Sequence, residues 1–163
     1  MAHFRTNIVA HFRIDIYIPL TEREPGVNYL NREEAEAVVH CHSTYATVLA
    51  TNRLDLPASN YIIADGGGKD IRCAEYATFG TKEIGEEAVK AMEGRRACLQ
   101  ANHGQITMGS SIESAFGLAA TVEQLSRIHV LALSCGKPVI LDDKEMDNIL
   151  ERFQTYGQKT RGN

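Results

Sequence analysis

The segment AVVHCHS, Ala37 to Ser43, constrains this chain more than any other. A short run of apolar, partly β-branched residues predicts a strand, and a strand alternates its faces, so residues two apart point the same way. His40 and His42 then present two imidazoles side by side, while Val39 and Cys41 turn to the other face and Cys41 reads as core rather than as a ligand. Zinc takes imidazole nitrogen at about 2.0–2.1 Å, and a reactive zinc site generally has three protein ligands and one open position. His103 is the natural third ligand: Asn102-His103-Gly104 lies at the end of an apolar strand, and the glycine lets the chain turn tightly there. The pair alone is equally consistent with hydrogen-bonded histidines and no metal, which is the reading given to His3, His11 and His129.

Downstream the punctuation is regular. TYATVLATNR (44–53) predicts a short helix and YIIA (61–64) a second strand before Gly66, Gly67 and Gly68. Those glycines lack the GxxxxGK[ST] spacing of a phosphate loop and read as a flexible turn. Thr81 is placed to cap a helix carrying Ile84, Ala88 and Met92 on one face and ending near Glu93, with Gly94 beyond it. ACLQANHG (97–104) and QITMG (105–109) read as strands around a turn. Ser110 with Glu113 then forms a capping box for a long helix through Phe116, Ala119, Val122 and Ala132, stopped by Gly136. Asp142 with Glu145 starts a last helix bearing Ile149, Leu150 and Phe153. Glu113 and Glu145 are explained as helix-start residues rather than catalytic acids.

With 163 residues, 44% of them apolar, the chain can build one domain with a proper core, 1–163, of which residues 1–36 are atypical and hold a repeated AHFR. Net charge is −4 with scattered Lys and Arg, which argues against nucleic acid as a partner. No apolar stretch reaches the length of a membrane span and no signal-peptide pattern opens the chain, so a cytoplasmic protein is expected. Cys41, Cys73, Cys98 and Cys135 are widely spaced, as expected of reduced thiols.

AVVHCHSTYATVLA, YIIADGGGKDIRCAEYATFGTKE, LQANHGQITMG and LERFQTYG occur in the order found in the class II aldolase, epimerase and adducin-head superfamily, which this chain resembles from about Ala37 to Gly157. The YATFGT segment and the FxxYG tail look like the L-fuculose-phosphate aldolases in particular. The resemblance implies an α/β fold with a central, mainly antiparallel sheet covered by helices in an αβα arrangement, assembled as a homotetramer. It implies zinc held by His40, His42 and His103, Tyr61 handling a proton at the aldehyde oxygen, and Phe79 lining a substrate pocket. Phe153 and Tyr156 would reach a neighbouring subunit's site. The activity implied is zinc-dependent cleavage of L-fuculose 1-phosphate, a small sugar phosphate, to dihydroxyacetone phosphate and L-lactaldehyde, the metal stabilising the enediolate charge as a Lewis acid.

The family's glycine-asparagine phosphate turn, threonine-glycine loop and serine-serine-glutamate motif do not occur in these 163 residues. The helix that begins at that glutamate survives only as HFRIDIY (11–17), and aligned on it Val9 stands where the glutamate would bind zinc and move a proton. Glu22 and Glu24 are poor substitutes, and ordinary catalysis is expected to be impaired. A pentulose-phosphate 4-epimerase and a non-catalytic, adducin-head-like metal-binding or association module are the alternatives the same histidine pattern admits.

Overall fold

Strand β2 (Ala37–Cys41) forms where the sequence reading places it and lies inside a five-stranded sheet. The computed structural model describes residues 35–154 and the backbone of β1 (Ile14–Tyr17). The other elements, in order, are α1 (Thr44–Thr51), β3 (Leu56–Pro57), a 3-10 helix (Tyr61–Gly66), β4 (Asp70–Ile71), β5 (Cys73–Ala74), α2 (Lys82–Ala91), β6 (Ala97–Gln100), β7 (Gly104–Gly109), α3 (Ile112–Cys135) and α4 (Asp143–Phe153). The sheet order is β1-β2-β7-β6-β5; only the β5–β6 pair is parallel, so the sheet is mainly antiparallel as expected, and β3 with β4 forms a separate small ribbon.

Alternation along the strands sorts the two faces. Val39 and Cys41 of β2 pack against Ala115 and Ala119 of α3. Ala97 and Leu99 of β6 join Leu49 of α1, Leu56, Ile63, Ile71, Val122 of α3 and Met146 of α4 in the largest core cluster. Across the sheet, Cys98, Ile106 and Met108 pack with Ala88, Ala91 and Met92 of α2 and its C-terminal turn. Helices thus cover both faces, the αβα layering that buries both sides of a sheet. Ala115 and Ala119, with no side chain beyond Cβ, let α3 approach closely; a Cβ on Gly109 would stand 2.0 Å from Ser114 Oγ and 2.6 Å from the Ala115 nitrogen. Among the described residues no helix is long and apolar enough to cross a membrane.

Four local expectations are corrected. YIIA is a 3-10 helix, not a strand: Asn60 Oδ1 accepts from the Ile62 N–H at its start, and Gly67, at φ +86°, closes its end. A four-residue apolar run does not distinguish these alternatives by period, and the flanking Asn and Gly decide. HFRIDIY contributes a strand, not a helix, because Ile14–Tyr17 alternate and pair antiparallel with β2, Ile14 opposite Cys41 and Tyr17 opposite Val38. The N-cap of α3 is Ser111, one residue later than the proposed box, its Oγ accepting from Ser114 N–H at 3.2 Å. The β6–β7 turn occupies 101–103, and Gly104 already belongs to β7. Asp142 does cap α4, its carboxylate accepting from Glu145 N–H at 2.8 Å, and Thr81 precedes α2 as expected.

His129, read as a hydrogen-bonded histidine, is buried on α3 with Nδ1 3.1 Å from Ser59 Oγ, and burial pushes its imidazole below the ordinary value of 6.5. Folding therefore favours the neutral ring. Its contribution is intact above the unfolded-chain value and is lost as pH falls below it, at up to about 1.4 kcal/mol per pH unit while the two states differ by one proton. Thermal unfolding from pH 8 to pH 5 should show a smaller acid-side loss of midpoint in His129→Gln than in the parent; parallel curves would remove His129 as a source of acid lability.

Candidate metal centre

His40 ends up on the α2 side of β2, opposite the face that carries Val39 and Cys41, and His42 follows just past the strand end. β2 pairs with β7 in the register His40 to Ile106 and Cys41 to Gln105, and β7 pairs with β6, so the β6–β7 turn bearing His103 comes to the end of β2. The three ring centroids are 4.7 to 4.8 Å apart in a near-equilateral triangle, and one nitrogen from each ring lies within 4.8 Å of the others. His40 is half-buried, His103 half-buried and His42 exposed, so the cluster opens to solvent on one side.

The donor chemistry fits a divalent cation. His40 Nδ1 lies 3.0 Å from the Gln105 carbonyl oxygen, which only accepts, so Nδ1 carries the hydrogen and Nε2 keeps its lone pair. That Nε2 is 2.9 Å from His42 Nε2. Two nitrogens bound tetrahedrally at 2.0–2.1 Å would be about 3.3 Å apart, so a small ring rotation opens this pair to ligand spacing. His103 Nδ1 is buried with no hydrogen-bond partner, an uncompensated polar atom on one of the three rings. Burial first, and the nearby His42 charge second, hold the His103 imidazole below its ordinary value, which favours the neutral form a metal binds.

The surroundings hold these rings in place. Ser43 sits at the N-cap of α1, but its hydroxyl accepts from the Gln105 side-chain amide at 2.7 Å instead of capping the helix. The amide of Gln105 also donates to the Ala119 carbonyl at 3.1 Å. Glu123 of α3 takes over the cap, its carboxylate accepting from Tyr45 and Ala46 N–H at 3.0 Å. One buried glutamine therefore orients His40 through its backbone and ties the start of α1 to α3 through its side chain. Gly104 is needed for space, not for a turn: a Cβ there would lie 2.5 Å from the Cys41 carbonyl oxygen and 2.8 Å from His42 Cδ2. The left-handed residue of the turn is Asn102, at φ +56°. Sequence reasoning missed Gln105 and Glu123; a glutamine inside an apolar strand was the available signal for the first, and nothing local marks the second.

The remaining predicted residues divide. Tyr61, at the start of the 3-10 helix, and Phe153, at the end of α4, meet edge to face with centroids 6.4 Å apart, forming a second aromatic group. Phe79 is 80% exposed in the segment before α2. Tyr156, Val9, Glu22 and Glu24 lie outside the described residues, as do His3 and His11. Gly66–Gly68 hold no phosphate-loop arrangement: Gly67 closes the 3-10 helix and Gly68 abuts the Arg95 side chain.

Fold and site together define an αβα protein with a cluster of three imidazoles, able to hold a metal ion, at the meeting of two antiparallel strands and a turn. Comparison with known sequences narrows this. A family model described as Class II Aldolase and Adducin N-terminal domain matches residues 27–130, and the chain belongs to that family. It is 45% identical over 130 residues to the 5-methylthioribulose-1-phosphate/5-deoxyribulose-1-phosphate aldolase of Rhodospirillum rubrum, covering 80% of this chain and 59% of that protein. It is 41% identical over 130 residues to the L-fuculose phosphate aldolase of Escherichia coli K12, covering 79% of this chain and 60% of that protein. A solved L-fuculose 1-phosphate aldolase superposes with a TM-score of 0.75 at 50% identity, covering 78% of this chain and 59% of that one. The chain thus spans about three fifths of the length of these curated relatives.

Gly104→Ala tests the packing argument. The added methyl meets the Cys41 backbone, which cannot swing aside as a side chain would. A loss of about 1–3 kcal/mol in denaturant unfolding is expected, the usual cost of overpacking. A variant as stable as the parent would mean that β2 and the turn are not held this closely.

Proposed function

We propose that this chain is a class II lyase that cleaves a deoxyketose 1-phosphate between C3 and C4, with zinc as the metal. The observation that carries the reading is the convergence of His40, His42 and His103 within 4.8 Å, with His40 held in its ligating tautomer by the Gln105 carbonyl. Membership of the family supports it.

Cleavage at that bond leaves C1–C3 as dihydroxyacetone phosphate, whatever the remainder. A six-carbon 6-deoxy sugar such as L-fuculose 1-phosphate yields lactaldehyde, and a five-carbon 5-deoxy sugar yields acetaldehyde. The relatives named above include aldolases of both kinds. YATFGT and the FxxYG tail favour L-fuculose 1-phosphate, and we take it as the preferred substrate. When bound, the metal supplies a Lewis acid for the negative charge that develops on the ketose carbonyl and hydroxyl oxygens. The three imidazoles would hold it, and the Gln105 carbonyl keeps the His40 ring from turning away. Tyr61 is placed, by resemblance, to move a proton at the aldehyde oxygen. Its ring packs on Phe153, and if the C-terminal segment serves a neighbouring copy's site, Tyr61 goes with it. A homo-oligomer, a tetramer by resemblance, follows as part of the same proposal.

Elemental analysis of the purified protein should give about one zinc per chain in the parent and none in His40→Ala, His42→Ala or His103→Ala, as expected of a three-ligand site. A metal-free parent would sink the centre. Incubation of the zinc-loaded protein with L-fuculose 1-phosphate and with 5-deoxyribulose 1-phosphate, followed by assay of dihydroxyacetone phosphate, tests the reaction. Release from the former above the His40→Ala control is expected; release only from the latter would move the substrate, and release from neither would refute the lyase reading for this chain.

A further inference from the structure

The only two non-glycine residues with positive φ among the described residues are Arg53, at +52°, and Asn102, at +56°, and they hydrogen-bond to each other. Left-handed backbone is unfavourable for residues with a Cβ, and Asn tolerates it better than Arg. Arg53 occupies the position after the C-cap of α1 where glycine is usual: its N–H reaches the Ala50 carbonyl and the Leu54 N–H reaches the Leu49 carbonyl, both at 3.1 Å, closing a Schellman turn. The side chain that glycine would forgo is used. Arg53 Nε donates to Asn102 Oδ1 at 3.1 Å, and the guanidinium lies over the Tyr76 ring at 5.7 Å.

Asn102 is the residue before His103. Its backbone N–H donates to the same Ala50 carbonyl at 2.9 Å, and its amide nitrogen lies 3.4 Å from the Thr51 carbonyl oxygen. The turn that delivers the third imidazole is therefore strapped to the C-terminal end of α1. The N-terminal end of α1 follows His42 directly, through Ser43. An eight-residue helix thus sets the distance between the histidine pair on β2 and the histidine on the β6–β7 turn.

We propose that Arg53 and Asn102 are positioning residues for His103: the Arg53–Asn102 bond locks the turn to α1 and holds the three imidazoles at ligand spacing. This rests on the metal-centre reading given above. A link of this kind acts on metal affinity more than on folding, because glycine at either position suits the left-handed backbone and keeps the main-chain bonds to Ala50.

The test measures zinc affinity by competition with a chromophoric chelator, the absorption spectrum of the cobalt-loaded protein, and the thermal midpoint of the metal-free protein. Arg53→Gly and Asn102→Gly should bind zinc about tenfold or more weakly, the usual effect of removing a residue that orients a ligand. Both should alter the cobalt bands and melt metal-free at or above the parent. Asn102→Asp keeps the acceptor for Arg53 and should stay within about threefold of the parent, since a carboxylate accepts from the guanidinium where the amide oxygen did. Parent-like affinity and spectrum in both glycine variants would overturn the proposal. So would affinity losses matched by a fall in metal-free midpoint, or an equal loss in Asn102→Asp. A parent that binds no metal would instead overturn the centre itself, and the positioning role with it.

Discussion

The pairing of β2 with β7 is the constraint on which the site depends. Because side chains alternate with a period of two, a slip of one residue would exchange the faces of β2 and send His40 and His42 toward α3. What opposes the slip is the burial of Val39 and Cys41 against Ala115 and Ala119, together with the close approach of Gly104 to the end of β2. The register that serves the core is the register that serves the imidazoles. The His40 ring is then turned by a backbone carbonyl of its partner strand, a contact available only in this register.

The helix α1 converts that pairing into a three-point arrangement. A Ser at its N-cap would ordinarily satisfy the first free N–H groups, but Ser43 is committed to Gln105, and Glu123 on α3 accepts those donors instead. The N-terminus of α1 is thereby fixed to α3 and, through Gln105, to β7. Its C-terminus is fixed to the turn before His103 by the Asn102 N–H. Rigid elements, rather than the loop alone, carry the ligand geometry, which is how a site keeps its spacing within a few tenths of an ångström.

What the sequence disclosed follows the range over which each signal acts. The shared face of His40 and His42 and the core role of Cys41 are consequences of strand period, and α2, α3 and α4 announce themselves by caps and by apolar spacing over many residues. YIIA and HFRIDIY misled because four to seven residues carry too little period; the first is decided by the flanking Asn60 and Gly67, the second by its antiparallel partner. His103 was legible as a candidate, but the reason for its glycine was not: the need at Gly104 is space beside the Cys41 carbonyl and the His42 ring, and a close approach between segments 62 residues apart leaves no local mark. Glu123 and Arg53 were hidden for the same reason, since their partners lie on other elements.

The assembled triad also has a consequence for protons and cations. Burial first, and the nearby His42 charge second, hold the His103 imidazole below its ordinary value, so the folded arrangement favours its neutral ring. A proton and a metal ion compete for the same lone pairs, so lowering proton affinity raises the share of metal-ready sites at a given pH. The fold carries costs beside the triad: a buried His103 nitrogen without a hydrogen-bond partner, and left-handed backbone at two non-glycine residues, Arg53 after α1 and Asn102 in the turn. A cation that binds only the folded state draws folding toward completion by mass action, and the strain at Arg53 and Asn102 is then held by the same geometry that makes the binding favourable.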